Sequence, residues 1–223
     1  MQKFLVGGRL RDEALGRASH DTDYAVEGPA TFQEMCDLVV ADGYKIHTTT
    51  PEFFTARATK DRVGYDFVLC RKETGYRDKR HPDKIEVGTI YDDLARRDFT
   101  INAMAQADDG TRLDPHGGME DIQRRRIRCV GSVERLREDG LRILRALRFA
   151  LVLDFELDVS LQEAFVDPKI LDCLVGVHPF RMVQELNKMF ECDVVRSIQL
   201  LSKYPILRDY LLSQMRLKAI VAK

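Results

Sequence analysis

Five short runs near the N-terminus limit the fold more than any other feature of this chain: KFLVGG (3–8), TDYAVEG (22–28), YKIHT (44–48), FTARAT (54–59) and YDFVLC (65–70). Each has the length of a strand and is rich in β-branched or aromatic residues. Between the second and third, TFQEMCDLVVADG (31–43) carries apolar residues at helical spacing and stops at Gly43. After Asp92 the pattern turns helical, with one further strand expected at RIRCVG (126–131) and a loop at DPHGG (114–118). Strands first and helices second predict an α+β chain, a sheet-containing head over residues 1–110 followed by a helical region. Within that region SLQE (160–163) predicts a capping box, and RMVQELNKMF (181–190) aligns Met182, Val183, Leu186, Met189 and Phe190 as a core face.

The bulk numbers remove several classes. No apolar run approaches the ~18–20 residues of a membrane span, and MQKFLVGG runs straight into charge, unlike a signal peptide. Five cysteines without a CxxC pair argue against a disulfide framework or a zinc knuckle. A cytoplasmic protein with free thiols is expected. The net charge of −1 selects no partner, but its distribution is uneven: Glu120–Arg148 holds nine arginines against five acids. An excess made of arginine alone predicts a phosphate-facing surface, because the guanidinium fork matches phosphate.

Asp21 and Asp23 stand two apart in a strand-like run, so a strand aims both carboxylates at one face. Two anions at one spot need a cation, and Mg²⁺ takes hard oxygen ligands while keeping water and phosphates as the rest. An aspartate pair at a loop start is the plainer alternative. The neighbours narrow the choice. LVGGRLRD (5–12) is a strand, a double glycine and a helix start; Gly7 and Gly8 let backbone amides approach an anion, and Arg11 adds a guanidinium. Asp66 lies on another strand as a third carboxylate, and acids bridging two metals ~3.5–4 Å apart are the usual apparatus for attack on phosphorus.

Two helical segments add candidates. LARRDFTINAMA (94–105) places Asp98 and Asn102 at i and i+4, beside Arg97. EDGLRILRALRFA (138–150) sets Glu138 four before Arg142, while Asp139, Arg142, Arg145 and Arg148 step by three, leaving arginines short of acids. Ordinary helical ion pairs are the competing account of both.

In their order and spacing LVGGRLRD…DTDYAV, YDFVLCR, DLARRDFTINAMA, DPHGGMEDIQRRRIR and EDGLRILRALRFA resemble the class II tRNA nucleotidyltransferases, the CCA-adding enzymes that share a superfamily with bacterial poly(A) polymerases. The resemblance covers roughly residues 3–155. It implies a nucleotidyltransferase-type head with a mixed β-sheet and helices (1–110), an all-helical neck that recognises the base (111–155) and a short RNA-binding body (156–223). By that resemblance Asp21 and Asp23 hold Mg²⁺, with Asp66 as the third catalytic acid. Gly7, Gly8 and Arg11 face the triphosphate. Asp98, with Arg97 and Asn102, selects the ribose. Asp139 and Arg142 read the base edge, Glu138 orients Arg142, and Arg145 contacts phosphate.

The implied reaction is two-metal attack of an RNA 3′-hydroxyl on the α-phosphate of CTP or ATP, adding CMP or AMP to tRNA and releasing pyrophosphate. Asp and Arg can present donors and acceptors to C or A, so no nucleic-acid template is required. CC-adding, A-adding and poly(A) or oligo(A) activities are the alternatives, and a non-catalytic RNA-binding module is a further one. Two departures matter. Gly140 stands where the family writes proline, which predicts a looser turn at Asp139, and the chain ends at Lys223 where family members continue into further helices.

Overall fold

The computed structural model describes residues 1–18, 22–76 and 82–214. They form two compact units, the first made of Met1–Gly75, Pro82–Arg124 and Cys129–Gly131, the second of Tyr76, Arg125–Arg128 and the described residues from Ser132 onward.

The first unit begins with β1 (Gln2–Val6), α1 (Gly8–Ala14), β2 (Asp23–Glu27) and α2 (Phe32–Ala41). It continues through β3 (Lys45–Thr50), β4 (Thr55–Lys60), β5 (Val63–Leu69), β6 (Arg71–Thr74) and β7 (Lys84–Val87). It closes with α3 (Ile90–Ala95), β8 (Ala105–Ala107), β9 (Arg112–Leu113) and α4 (Gly118–Gln123). All five expected strands are present, and α2 starts where Thr31 accepts a hydrogen bond from the Glu34 amide. Seven strands form one sheet in the order β3-β4-β5-β2-β1-β8-β9, and β6 pairs separately with β7. β2 and β5 run parallel while their other neighbours are antiparallel, so the sheet is mixed, as the α+β reading expects. The expectation that helix dominates after Asp92 is corrected by β8 and β9, two very short strands that extend the sheet beyond β1.

Alternation along the strands sorts the two faces. Val26, Ala56, Ala58, Phe67 and Leu69 point toward α2, where Met35 and Val39 complete one core and Tyr24, Tyr44 and Tyr65 border it. Phe4, Val6, Ala25 and Ala105 form a second core with Ile90 and Leu94 of α3 on the opposite face. That second core spans the β2, β1 and β8 part of the sheet. At the β4 and β3 end, the same face carries the exposed side chains of Arg57 and Thr48.

The second unit contains β10 (Arg126–Ile127), α5 (Arg135–Glu138), α6 (Leu141–Leu153), β11 (Glu156–Leu157), α7 (Val159–Ala164) and α8 (Pro168–Leu171). It ends with α9 (Pro179–Cys192), α10 (Val194–Ser202) and α11 (Pro205–Gln214). It is helical apart from β10 and β11, a two-residue parallel pair; β10 falls within the strand expected at 126–131, and β11 corrects the all-helical expectation for the rest. α6 packs on α9, with Ile143, Leu144 and Leu147 buried on one and Met182, Leu186 and Met189 on the other. Ser160 does not cap α7: Asp158 does, accepting from the Ser160 amide at 3.0 Å. Aspartate in extended backbone just before the helix reaches the free amides better than a serine already inside it.

Among the described residues, no helix is long and apolar enough to cross a membrane. Cys36, Cys70, Cys129 and Cys173 are buried free thiols and Cys192 is an exposed one.

Candidate active site

Strand register builds the site in the first unit. Asp23 opens β2 and is the Cα partner of Val6 at the end of β1 on one side and of Asp66 in β5 on the other. The second described carboxylate therefore comes from across the sheet. Asp21 lies outside the described residues. Among those residues no group of three or more His, Cys, Asp or Glu side chains could hold a metal ion. The two described carboxylates offer hard oxygens on adjacent strands, a donor set that suits a hydrated divalent cation.

Gly7 follows β1 at φ 79°, a left-handed conformation that disfavours other residues. Space is the second constraint. A Cβ at Gly7 would lie 3.2 Å from Asp23 Oδ2 and 3.4 Å from Arg97 Nη1, so the backbone here borders an anion and a guanidinium together. Gly8 begins α1. Arg11, one turn on, donates through Nη1 to Asn102 Oδ1 at 2.7 Å and through Nε to Asp12 at 2.9 Å.

The helix expected over 94–105 ends instead at Ala95, and Asp98 and Asn102 do not share a helical face. Phe99 is extended, buried and bridged to Cys129, which pulls the chain out of α3 before a 3-10 turn at Thr100–Asn102. The two side chains meet all the same. Asp98 Oδ1 accepts from Asn102 Nδ2 at 3.1 Å and from the Phe99 amide at 2.8 Å.

Sequence reasoning missed the residue that organises this corner. Asp93, with 0% exposure, spreads its carboxylate between two guanidinium groups. Oδ1 accepts from Arg96 Nε at 2.9 Å and Nη2 at 2.7 Å, and Oδ2 from Arg97 Nε at 3.3 Å and Nη2 at 2.9 Å. Burial alone would raise its pKa, but Arg96 and Arg97 outweigh burial and hold the carboxyl below its ordinary range. Arg97 then has Nη1 left for the Asn102 carbonyl at 3.1 Å, the same nitrogen that borders Gly7. Arg96 extends the network to Glu73 at 3.4 Å, and Glu73 binds the buried Arg71 at 2.6 Å. DDLARR, with an acid three and four before two arginines, is the sequence pattern that announces it.

A cavity of about 540 Å³ lies over this ground, lined by Asp23, Asp66, Arg57, Arg71, Arg96 and Arg97 among others. Arg71, Arg96 and Arg97 beside the two carboxylates suit a polyphosphate bound with a cation.

The remaining sequence candidates lie in the second unit. The helix expected over 138–150 breaks at Asp139, which is extended at φ −147°, and Gly140. Asp139 Oδ1 accepts from the amide of Leu141, the first residue of α6, at 3.0 Å, and Oδ2 accepts from Arg181 Nη2 at 2.9 Å. Glu138 joins Arg142 at 2.7 Å and Arg135 at 2.7 Å, while Arg142 also donates to the Arg135 carbonyl at 2.8 Å. Arg145 lies over the Phe149 ring at 5.4 Å. Gly140 does not loosen the turn. A Cβ there would lie 2.2 Å from the Cys173 carbonyl oxygen, so the turn is packed against backbone too closely for any larger residue.

The arginine excess is also answered. Arg125 pairs with Asp154 at 2.8 Å and Arg148 with Glu185 at 2.5 Å, acids beyond the segment in which the shortfall appeared. Arg124 pairs with Glu120 at 2.7 Å and Arg137 with Glu134 at 2.8 Å.

Comparisons with known proteins place this geometry. The CCA-adding enzyme of Pediococcus pentosaceus is 37% identical over 189 residues, covering 83% of this chain and 46% of the relative. The A-adding tRNA nucleotidyltransferase of Aquifex aeolicus is 35% identical over 214 residues, 94% of this chain and 26% of the relative. The crystal structure of Bacillus stearothermophilus CCA-adding enzyme in complex with CTP superposes with a TM-score of 0.77 at 31% identity, covering 96% of this chain and 52% of that one. This chain thus spans under half the length of the CCA-adding relative and about half of the crystallised one. The family model described as poly A polymerase head domain matches residues 3–128, more than half of the sequence and all of the Asp23–Asp66 corner, and the chain belongs to that family.

Proposed function

We propose that this protein is a template-independent RNA nucleotidyltransferase that adds CMP and AMP from CTP and ATP to the 3′ end of tRNA. The observation that carries the reading is the pairing of Asp23 with Asp66 across parallel strands, flanked by Gly7 and Arg97, in a chain similar to CCA-adding enzymes over most of its length. Nucleotidyltransferases of this kind work with a divalent cation, and we assign it to Asp21 and Asp23, the sequence-derived ligands, with Asp66 as the third acid and Mg²⁺ as the ion. When bound, the cation supplies Lewis-acid polarisation of phosphoryl oxygens.

The chain's own residues do the rest. Gly7 and Gly8 let the chain approach the triphosphate closely. Arg97, with Arg96 beside it, offers charge-assisted hydrogen bonds to it. Asp98, held by the Asn102 amide and the Phe99 N–H, has a carboxylate oriented to accept from a ribose 2′-hydroxyl. Arg11 fixes Asn102 from behind. In the second unit Asp139 and Arg142 present acceptor and donor to the base, oriented by Arg181 and Glu138, with Arg145 as a phosphate contact. The assignment of a head, a neck and an RNA-binding body to 1–110, 111–155 and 156–223, and a cytoplasmic location, belong to the same reading.

A-adding activity alone is the second reading, favoured by the Aquifex aeolicus relative, whose match extends over 94% of this chain. The test is product length with labelled CTP and ATP, each alone and together, on tRNAs ending before, within and after CCA. CCA addition requires CMP incorporation from CTP alone on the shortest tRNA, followed by a single AMP. Incorporation of AMP only, on tRNA ending in CC, selects the A-adding reading. Long A tails indicate a poly(A) polymerase, and no incorporation rejects the proposal.

A further inference from the structure

One row of residues crosses the sheet at a single register level. Val6 pairs with Asp23, Asp23 with Asp66, Asp66 with Arg57, and Arg57 with Thr48. Neighbouring strands lie about 4.8 Å apart, so the row is a ruler laid through the site. Its Val6 end carries Gly7 and faces Arg97, the flank assigned to the triphosphate. In-line displacement at phosphorus places the attacking oxygen opposite the departing one. The hydroxyl must then arrive over Asp66, from the β4 and β3 side.

That side is built for a polar guest. Arg57, Thr59 and Thr55 face away from the α2 core, since Ala56 and Ala58 between them are the buried residues of β4. The register of β3 shifts between Ile46 and Thr48, and His47 at the irregularity lies 2.6 Å from Thr59 Oγ1. Thr48, Arg57, Thr59, His47 and Asp66 line a cavity of about 570 Å³, within the size range of small-ligand sites. Arg57 meets Asp66 Oδ1 at 3.1 Å although its side chain is 75% exposed. An exposed pair of this kind contributes only about 0–1 kcal/mol to stability, so Arg57 can leave it for another anion at little cost.

We propose that this trough receives the 3′-terminal nucleotides of the RNA and that Arg57 binds the phosphodiester next to the reacting hydroxyl. The proposal rests on the reading of the protein as an RNA nucleotidyltransferase. Arg57 exchanges Asp66 for phosphate, so RNA entry and release of the Asp66 carboxylate are one step. The guanidinium fork suits a phosphate, and the threonine hydroxyls suit a ribose edge. Tyr65, which borders the α2 core, also lines the cavity, but the contacts proposed for the trough are to the sugar–phosphate chain.

The experiment compares the wild-type chain with Arg57→Ala and Arg57→Lys on a tRNA lacking its CCA end. RNA affinity is measured directly without nucleotide, and the KM values for RNA and for CTP are measured separately. Arg57→Ala should weaken RNA binding and raise the RNA KM about tenfold, with the CTP KM within twofold of wild type. The slope of log affinity against log salt should fall by about 0.7, the loss of one single-strand phosphate contact. Arg57→Lys should recover part of the affinity, because the charge remains and the fork does not. Equal RNA affinity in wild type and Arg57→Ala overturns the proposal, and a fall in kcat alone then leaves Arg57 as a positioning residue for Asp66. A rise in the CTP KM alone assigns the trough to the nucleotide and also overturns it. Absence of transfer by the wild type speaks against the enzymatic reading, while the direct binding comparison still decides the trough.

Discussion

Replacing Asp93 by asparagine tests whether one buried carboxylate holds the Arg96–Arg97 corner together. The amide keeps the shape but carries no charge, and its NH₂ must face one of two guanidinium forks, donor against donor. Four N–H donations to Asp93 at 2.7–3.3 Å are reduced to those its single carbonyl can accept. Removing one partner of a buried ion pair costs 3–5 kcal/mol, and the lower figure, about 3 kcal/mol, fits here because Arg96 and Arg97 retain 19% and 16% exposure. For a chain of this length that corresponds to a fall in Tm of about 6–12 °C. Urea unfolding followed by circular dichroism at pH 7 gives the difference directly. The pH dependence is the sharper measurement. The Asp93 carboxyl is held below its ordinary value of 3.8, so its contribution is whole above that pH and is lost as pH falls through the folded value. The gap between wild type and Asp93→Asn should therefore narrow progressively as pH falls below 3.8. A gap under about 1 kcal/mol at pH 7, or one that does not narrow in acid, would refute the reasoning.

Three further outcomes are expected. Gly140→Ala should destabilise the protein by about 1–3 kcal/mol, as overpacking does, because the Cys173 carbonyl occupies the Cβ position; calorimetry showing an unchanged or raised Tm would contradict the close packing. Asp98→Ala should erode the preference for CTP over dCTP, since the 2′-hydroxyl loses its acceptor, and an unchanged ratio of kcat/KM values would remove Asp98 from ribose selection. Arg142→Ala and Arg181→Ala should both admit UTP or GTP on a tRNA lacking CCA, the second through the freed Asp139 carboxylate; retained C and A preference in both would leave them as structural residues.

Backbone periodicity is local, and what depends on it was legible. Short runs rich in β-branched and aromatic residues marked β1 to β5, and helical spacing that stops at Gly43 marked α2. The double glycine and the spaced aspartates were legible for the same reason: a turn needs glycine where φ is positive, and a strand aims alternate side chains one way. β8 and β9 were not, because strands of three and two residues are too short to show a period and exist through pairing with β1 and with each other.

Charge made the same division. The sequence of residues 120–148 shows more arginine than acid, yet it cannot show that Asp154 and Glu185 complete the pairs, because those partners come from other elements. The sequence alone determined which side chains are the candidates for binding phosphate and a cation, and roughly which strands bear them. Tertiary structure decided which of them meet. The insertion of β5 beside β2 sets Asp66 against Asp23, the bridge from Phe99 to Cys129 turns Asp98 toward Asn102, and the carbonyl of Cys173 requires glycine at 140. Each is a contact between distant parts of the chain, set by pairing and packing, and no local pattern of residues encodes it.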